Sequence, residues 1–418
     1  MAERAATCAG CGCGCDDIDV AVAAGALERA SGTCVLGDAW LAERTGDAPP
    51  VARVDGREVD FADAVEASAA ILGDARLPLV CGLGQTDCES QRAAVALAEA
   101  VGGVIDPTGP EVDGAAGAAS QAIGVSTASF GELRDRAELV VTWLADPVTS
   151  NPRLLPRLRL DRAGRAAERT LVVIDARRTA TADEADEFIE LPPQLELQAL
   201  WAMRALVRDV PLDRDLAARL PLDALERLAG RLRTCNYAAL IYDAGLTTAY
   251  VNALGLLALV RDLARVAHVV ALPLRHEGNA RGAEDVLAWQ TGYPAAVSFA
   301  RGHPRARPGE FTAAELLARG ETDAALIVGF DALRLLPPRA ADHLRRIPTI
   351  VIDPRDTETG AGARVAFATA AAGVHRDGTA HRMDGVPVAL RAPLPSDRVG
   401  DGDVLAAIEA RVTRGEEP

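Results

Sequence analysis

Short apolar runs recur along the chain, and they constrain its fold more than any other feature. Residues 77–84 (LPLVCGLG), 104–106, 138–144, 170–175, 238–244, 268–274, 324–330 and 349–353 each read as a buried strand. Apolar positions at helical spacing fill most of the gaps between them, as in 61–72 and 88–101. Strand alternating with helix predicts doubly wound, mostly parallel α/β sheets, with more than one sheet in 418 residues. Residues 51–59 read instead as a hairpin turning at Asp55 and Gly56. Ligands of wound sheets gather at strand carboxyl ends. The loops to watch therefore carry Asp146 and Asn151, Asp175 with Arg177 and Arg178, Arg275 to Asn279, and Asp353 with Arg355.

Ahead of these runs stands a cysteine-rich start. Cys8, Cys11 and Cys15 form C-x2-C-x3-C, Cys13 lies inside it, and Cys34 follows after eighteen further residues. Gly10, Gly12 and Gly14 let the backbone curl round a metal centre. Three thiolates from one loop plus one from downstream suit a cubane iron–sulfur cluster. Zinc takes the same ligands but usually as two evenly spaced pairs. A disulfide-rich secreted start is disfavoured, because residues 1–7 contain no apolar stretch of signal-peptide length. Cys81, Cys88 and Cys235 sit in apolar surroundings and read as buried thiols of a cytoplasmic protein.

Composition removes several functions. The net charge of −16 argues against nucleic acid or an anionic membrane as partner, and no apolar run approaches the length of a span. All 44 basic residues are arginine, so Schiff-base and lysine-nucleophile chemistry is excluded. Aromatic residues make up only 4%, so the core must be packed from Ala, Val, Leu and Ile. No dinucleotide fingerprint is complete: after 77–81 only Gly82 and Gly84 are in place. The six histidines show no metal-ligand spacing, and each reads as a surface or hydrogen-bonding residue.

The cubane motif ahead of repeated strand–helix units resembles the molybdopterin oxidoreductase superfamily. Longer blocks narrow it: CAGCGCGCDDI at 8–18, CGLGQTDCESQ at 81–91, GGVIDPTG at 102–109, FGELRDRAELVVTW at 130–143 and VVIDARRTAT at 172–181. With NPR at 151–153, GYPAAVSFARGHPRARPGE at 292–310 and GTAHRMDGVPV at 378–388, they resemble the B subunit of formylmethanofuran dehydrogenase.

That resemblance implies a four-cysteine lobe at 1–55, a wound α/β domain in two parts (56–136 and 284–418), an inserted α/β domain at 137–283, and no C-terminal β-barrel. In archaeal relatives the subunit carries a 4Fe-4S cluster and a tungsten or molybdenum atom held by two pterin guanine dinucleotides, and reduces carbon dioxide to formate. The cluster ligands carry over to Cys8, Cys11, Cys15 and Cys34, leaving Cys13 spare. Arg275 falls where the family places an arginine near the metal. Asp175, Arg177 and Arg178 match the region that grips a pterin dinucleotide.

The departures matter as much as the match. Redox-active relatives place a cysteine or selenocysteine and then a histidine where this sequence has Val112 and Asp113. Valine offers no donor to a metal. Asp113 and Glu111 are carboxylates one residue away, yet the imidazole is still missing. The basic residue that often follows the fourth cysteine is also absent from Val35-Leu36-Gly37-Asp38. This pattern resembles the B subunit of the bacterial formyltransferase/hydrolase complex. That implies a non-redox scaffold beside the A, C and D subunits, a bound methanofuran-like carrier, and no tungsten or molybdenum pterin. Arg301, Arg305 and Arg307 are the densest cationic group for an anionic carrier tail; their plainer reading is a solvated loop.

Overall fold

The computed structural model describes residues 2–46, 49–107, 115–215, 217–243, 250–307 and 309–414. Val112, Asp113 and Glu111 therefore lie outside the described residues, as does Ala244. The chain divides into two compact units, Met1–Gly114 with Glu277–Pro418, and Ala115–His276. The second is inserted in the first, with edges that differ from 137 and 283.

In the first unit a nine-stranded sheet has a parallel centre. Its five parallel strands lie in the order Val365–Phe367, Thr349–Ile352, Ala324–Val328, Pro78–Gly82, Val104–Asp106. Antiparallel strands extend both edges; on one side these are Ala52–Val54 and Arg57–Glu58, the hairpin expected from sequence. Val80, Leu326 and Ile350 on one face are buried under helices Phe61–Asp74, Cys88–Ala100 and Asp401–Arg414. Each such side chain contributes about 1.5–3 kcal/mol. Leu79, Ile327 and Val351 fill the opposite face against Ala313–Arg319 and Pro338–Leu344. Helix Cys88–Ala100 starts where Asp87 accepts a hydrogen bond from the Ser90 N–H at 2.7 Å.

Before this sheet, Ala2–Cys8, Cys15–Ala23 and Ala26–Ser31 form an antiparallel meander, followed by helix Val35–Thr45. A two-stranded ribbon, Gly378–His381 with Pro387–Leu390, packs on the meander: Thr7 donates to the Ala389 carbonyl at 2.7 Å, and the Met383 N–H to Gly12 at 2.9 Å.

The inserted unit has its own five-stranded parallel sheet, in the order Glu187–Glu190, Thr170–Asp175, Leu139–Trp143, Tyr237–Asp243, His268–Leu274. Numbered along the chain its strands lie in the order 3-2-1-4-5, whereas the five parallel strands of the first unit lie in the order 5-4-3-1-2, so the two layouts coincide only after a circular permutation. The fold is thus α/β with two wound sheets, and no sheet among the described residues closes into a barrel.

Candidate functional site

The cysteine start folds into a thiol-lined turn. Cys8 ends one strand and pairs with Cys15 at the start of the next. Between them the chain reverses, with the Gly14 N–H donating to the Cys11 carbonyl at 3.2 Å and Gly14 at φ +47°. Cys34 caps the amino end of Val35–Thr45, where the helix favours negative charge. Cys8, Cys11 and Cys15 are buried and Cys34 is half-buried. Burial pushes the Cys8 thiol up to about 12, opposed by the Gly10 N–H and reinforced by Cys15, Cys11 and Cys34. Cys15, Cys11 and Cys34 thus each lie near enough to Cys8 for their charges to act on it. Cys13 is fully buried and shares its hydrogen bonds with Cys11 and Cys15.

A cubane fits this donor set. The Cys8 sulfur is bordered by glycine backbone, and a Cβ on Gly37 would stand 3.1 Å from it. Among the described residues no three or more His, Cys, Asp or Glu side chains are gathered to hold a single ion. A cubane is gripped at separate corners and asks for a wider set. Bound irons would reverse the upward push on the thiols, since cations favour thiolates.

Arg44, which carries no motif of its own, is a buried cation on the helix that follows Cys34. It lies at the far end of the same helix, 7% exposed, with its guanidinium 4.9 Å over the Trp40 ring. It donates to Gln85 at 3.2 Å, as does the Trp40 indole N–H. Burial, then the nearby Arg355 charge, lowers its pKa to about 10, while Cys8 is near enough to oppose this. Its sequence signal is weak because the arginine lies almost three helical turns from the cysteine.

Gln85 opens onto a cavity of about 600 Å³ at the carboxyl ends of the central strands, lined also by Glu277, Gly329, Asp331, Arg334 and Arg355. Wound sheets bind ligands at this edge, and the volume suits a small molecule or cofactor fragment. The loop beneath it is tightly built. Gly82 adopts φ +97°, and a Cβ there would overlap the Val328 carbonyl. Buried Asn279 holds the same loop, accepting from the His381 N–H at 2.8 Å and donating to the Thr86 carbonyl at 2.7 Å. A Cβ on neighbouring Gly278 would overlap the Ala9 carbonyl, so the cysteine turn packs directly on this loop.

In this unit Asp353 and Arg355 form one clamp. Arg355 donates to both Asp353 oxygens at 2.9 Å and pairs with Glu43 at 3.2 Å. The corresponding loop of the inserted unit carries Asp175, half-buried, with Arg177 and Arg178 exposed. Arg178 lies 5.3 Å over the Phe188 ring and 3.7 Å from Asp183. Burial raises the Asp175 carboxyl, eased by the Ala176 N–H at 2.6 Å.

Arg275 is buried at the end of His268–Leu274 in the inserted unit, and its carbonyl accepts from the Asn151 amide at 3.0 Å. Next to it His276 meets both Asp243 oxygens at 3.1 Å, an imidazole–carboxylate pair that no spacing rule reveals. The three arginines near 301–307 differ from one another. Arg301 is exposed, Arg305 packs 5.7 Å from the Phe311 ring, and Arg307 is paired with Glu310 at 3.0 Å. Cys81 and Cys88 are buried as expected, whereas Cys235 is half-buried.

A cysteine turn leading two wound sheets defines a molybdopterin oxidoreductase type of protein, and acetylene hydratase from Pelobacter acetylenicus shares that fold. It superposes with a TM-score of 0.69 over 98% of this chain and 69% of its own, at 14% identity. No family model matches the sequence. The B subunit of tungsten-containing formylmethanofuran dehydrogenase 2 from Methanocaldococcus jannaschii is 35% identical over 368 residues, 86% of this chain and 85% of that protein. Its counterpart in Methanococcus maripaludis is 30% identical over 372 residues, with the same two coverages. The chain belongs to the family of formylmethanofuran dehydrogenase B subunits. The B subunit of the formyltransferase/hydrolase complex of Methylorubrum extorquens is 31% identical over 290 residues, 65% of this chain and 73% of its own. The crystal structure of that complex with methylofuran contains a chain that matches at a TM-score of 0.73 and 26% identity, over 87% of this chain and 99% of its own. Among the described residues no helix is long and apolar enough to cross a membrane.

Proposed function

We propose that this chain is the B subunit of a formyltransferase/hydrolase complex in one-carbon oxidation, from formaldehyde toward formate. It serves there as a dehydrogenase-like scaffold without a redox metal. The observation that carries this reading is Val112 with Asp113, where redox-active relatives place a metal-binding cysteine and its histidine. A hydrocarbon side chain contributes no lone pair, so Val112 does not fit as a ligand of a tungsten or molybdenum centre, and no histidine follows it. The A, C and D subunits are the partners. A methanofuran-like carrier rests on the assembly, and the methylofuran bound by the related complex supports this. Exposed Arg301, with Arg305 beside it, is the candidate contact for an anionic carrier tail; Arg307 contributes less because Glu310 neutralises it.

Cys8, Cys11, Cys15 and Cys34 would hold the cubane. Such a cluster supplies one-electron transfer; on the scaffold reading it braces the lobe. Elemental analysis of the purified native complex tests the proposal. Iron near four per chain with neither tungsten nor molybdenum is expected. A stoichiometric tungsten or molybdenum atom would sink it.

A second reading, an active tungsten or molybdenum dehydrogenase interconverting carbon dioxide and formyl-methanofuran, is favoured by one observation. The four-cysteine set is intact in a chain that resembles two tungsten-containing relatives. Cys11→Ser separates the two. The scaffold predicts lower stability with formyl-carrier hydrolysis unchanged; the dehydrogenase predicts loss of carbon dioxide reduction.

A further inference from the structure

A second, smaller cavity of about 200 Å³ lies in the cysteine-bearing unit. Residues 25–27 of the meander, the end of helix Val35–Thr45, His375, residues 394–396 and Arg398 are part of its wall. Among the described residues, Arg44, Arg355 and Arg398 line it beside two carboxylates, Glu43 and Asp356.

Those carboxylates are already committed. Asp356 lies 3.5 Å from Arg53, outside the cavity lining. Glu43 is shared between Arg355 at 3.2 Å and Arg44 at 3.6 Å. Arg398 donates to the carbonyls of Pro49 at 2.5 Å and Ala368 at 3.2 Å, which satisfy N–H groups without cancelling charge. His375 stands beside it, its pKa lowered by burial and then by the Arg398 charge. Arg355 is gripped by both Asp353 oxygens at 2.9 Å, which leaves Glu43 to Arg44, and half-buried Arg398 shares the small enclosure with no carboxylate at ion-pair distance among the described residues. Buried cations are costly unless paired.

We propose that this cavity binds a small oxyanion, a carboxylate or a phosphate, between Arg44, Arg398 and His375. Planar guanidiniums present paired donors that match either anion. The volume falls below that of drug-sized sites, so the ligand has few atoms. The site does not depend on whether a cluster or metal occupies the cysteine turn.

The test titrates the purified complex with sodium phosphate and, separately, sodium formate at constant ionic strength, following heat of binding and melting temperature. Saturable binding of at least one anion is expected, and which one binds identifies the source. His375→Gln should weaken it about tenfold, the loss of one charge-assisted contact worth about 1.4 kcal/mol. Because Arg398 also braces two backbone carbonyls, the decisive variant is Ala26→Glu, which places a carboxylate at an exposed position on the cavity wall. It should abolish binding while leaving the anion-free melting temperature unchanged. Absence of saturable binding by either anion, or binding that persists in Ala26→Glu, overturns the proposal.

Discussion

Each unit clamps a threonine to an aspartate from the neighbouring strand end. In the inserted unit Asp146 accepts from the Thr181 hydroxyl at 2.5 Å and its N–H at 3.0 Å. In the other, Asp331 accepts from the Thr359 hydroxyl at 2.6 Å and its N–H at 3.0 Å. The threonine oxygens in turn accept from the Val148 and Leu333 N–H groups at 3.1 and 2.9 Å. Leu144 and Gly329 occupy matching left-handed positions, φ 45° and 64°, each donating its N–H to the adjacent strand. The same backbone apparatus stands in both units. What differs is the arginine two residues after the strand-end aspartate: Arg355 is folded onto Asp353, while Arg177 is exposed beside half-buried Asp175. Shared parts hold the strand ends in place, and the ionic wiring is where the two units differ.

The wiring predicts the largest effect. Asp353→Asn strips half-buried Arg355 of its buried bidentate partner and should cost about 3–5 kcal/mol. Asp175→Asn should change stability by less than about 1 kcal/mol. Urea unfolding of the two variants measures both, and similar losses would break the comparison. The clamp predicts a smaller, equal effect. Thr181→Val and Thr359→Val each leave one backbone N–H and one carboxylate oxygen short of a partner, costing about 1–3 kcal/mol apiece. A gap between them beyond about 1 kcal/mol would show that the clamps are not equivalent.

Much of this is legible in the sequence, and the rest is hidden for identifiable reasons. Strands Thr170–Asp175 and His268–Leu274 fall where their apolar runs predict, because parallel strands buried on both faces leave no polar interruption. The strands flanking the cysteines carry no such signal. Cys and Gly dominate the turn between them, and Asp16, Asp17 and Asp19 break any apolar run in Cys15–Ala23. The cysteines themselves stand out by spacing alone, whereas Arg44 requires knowing how long the following helix is and which face it buries. His276 with Asp243, and His381 with Asp285 at 2.8 Å, are tertiary pairs with no local signature. The likeness of the two strand-end loops is half visible in VVIDARRTAT and VIDPRDTETG; the matching Asp–Thr contacts become visible only in the structure.

The smallest effect is the pH response of the inserted unit's loop. Burial raises the Asp175 carboxyl above its ordinary value, outweighing the lowering by the Ala176 and Arg177 N–H groups, and the Asp146 charge adds to the rise. The folded state therefore holds this proton more tightly than the unfolded chain does. Its stabilising contribution is complete below the unfolded value of about 4. It is lost as pH rises through the elevated folded value. Asp175→Asn is neutral throughout and its oxygen can still accept from Ala176, so the variant should not show this loss. Stability against pH, compared for wild type and variant across the acid range, should show a shallow fall in the wild type alone. Removing the neighbouring cation with Arg177→Gln should move that fall to higher pH, because its charge helps keep the carboxylate ionised. Identical curves for wild type and Asp175→Asn would mean that Asp175 is as well solvated as in the unfolded chain, and the contrast with the sealed Asp353 would then be one of exposure alone.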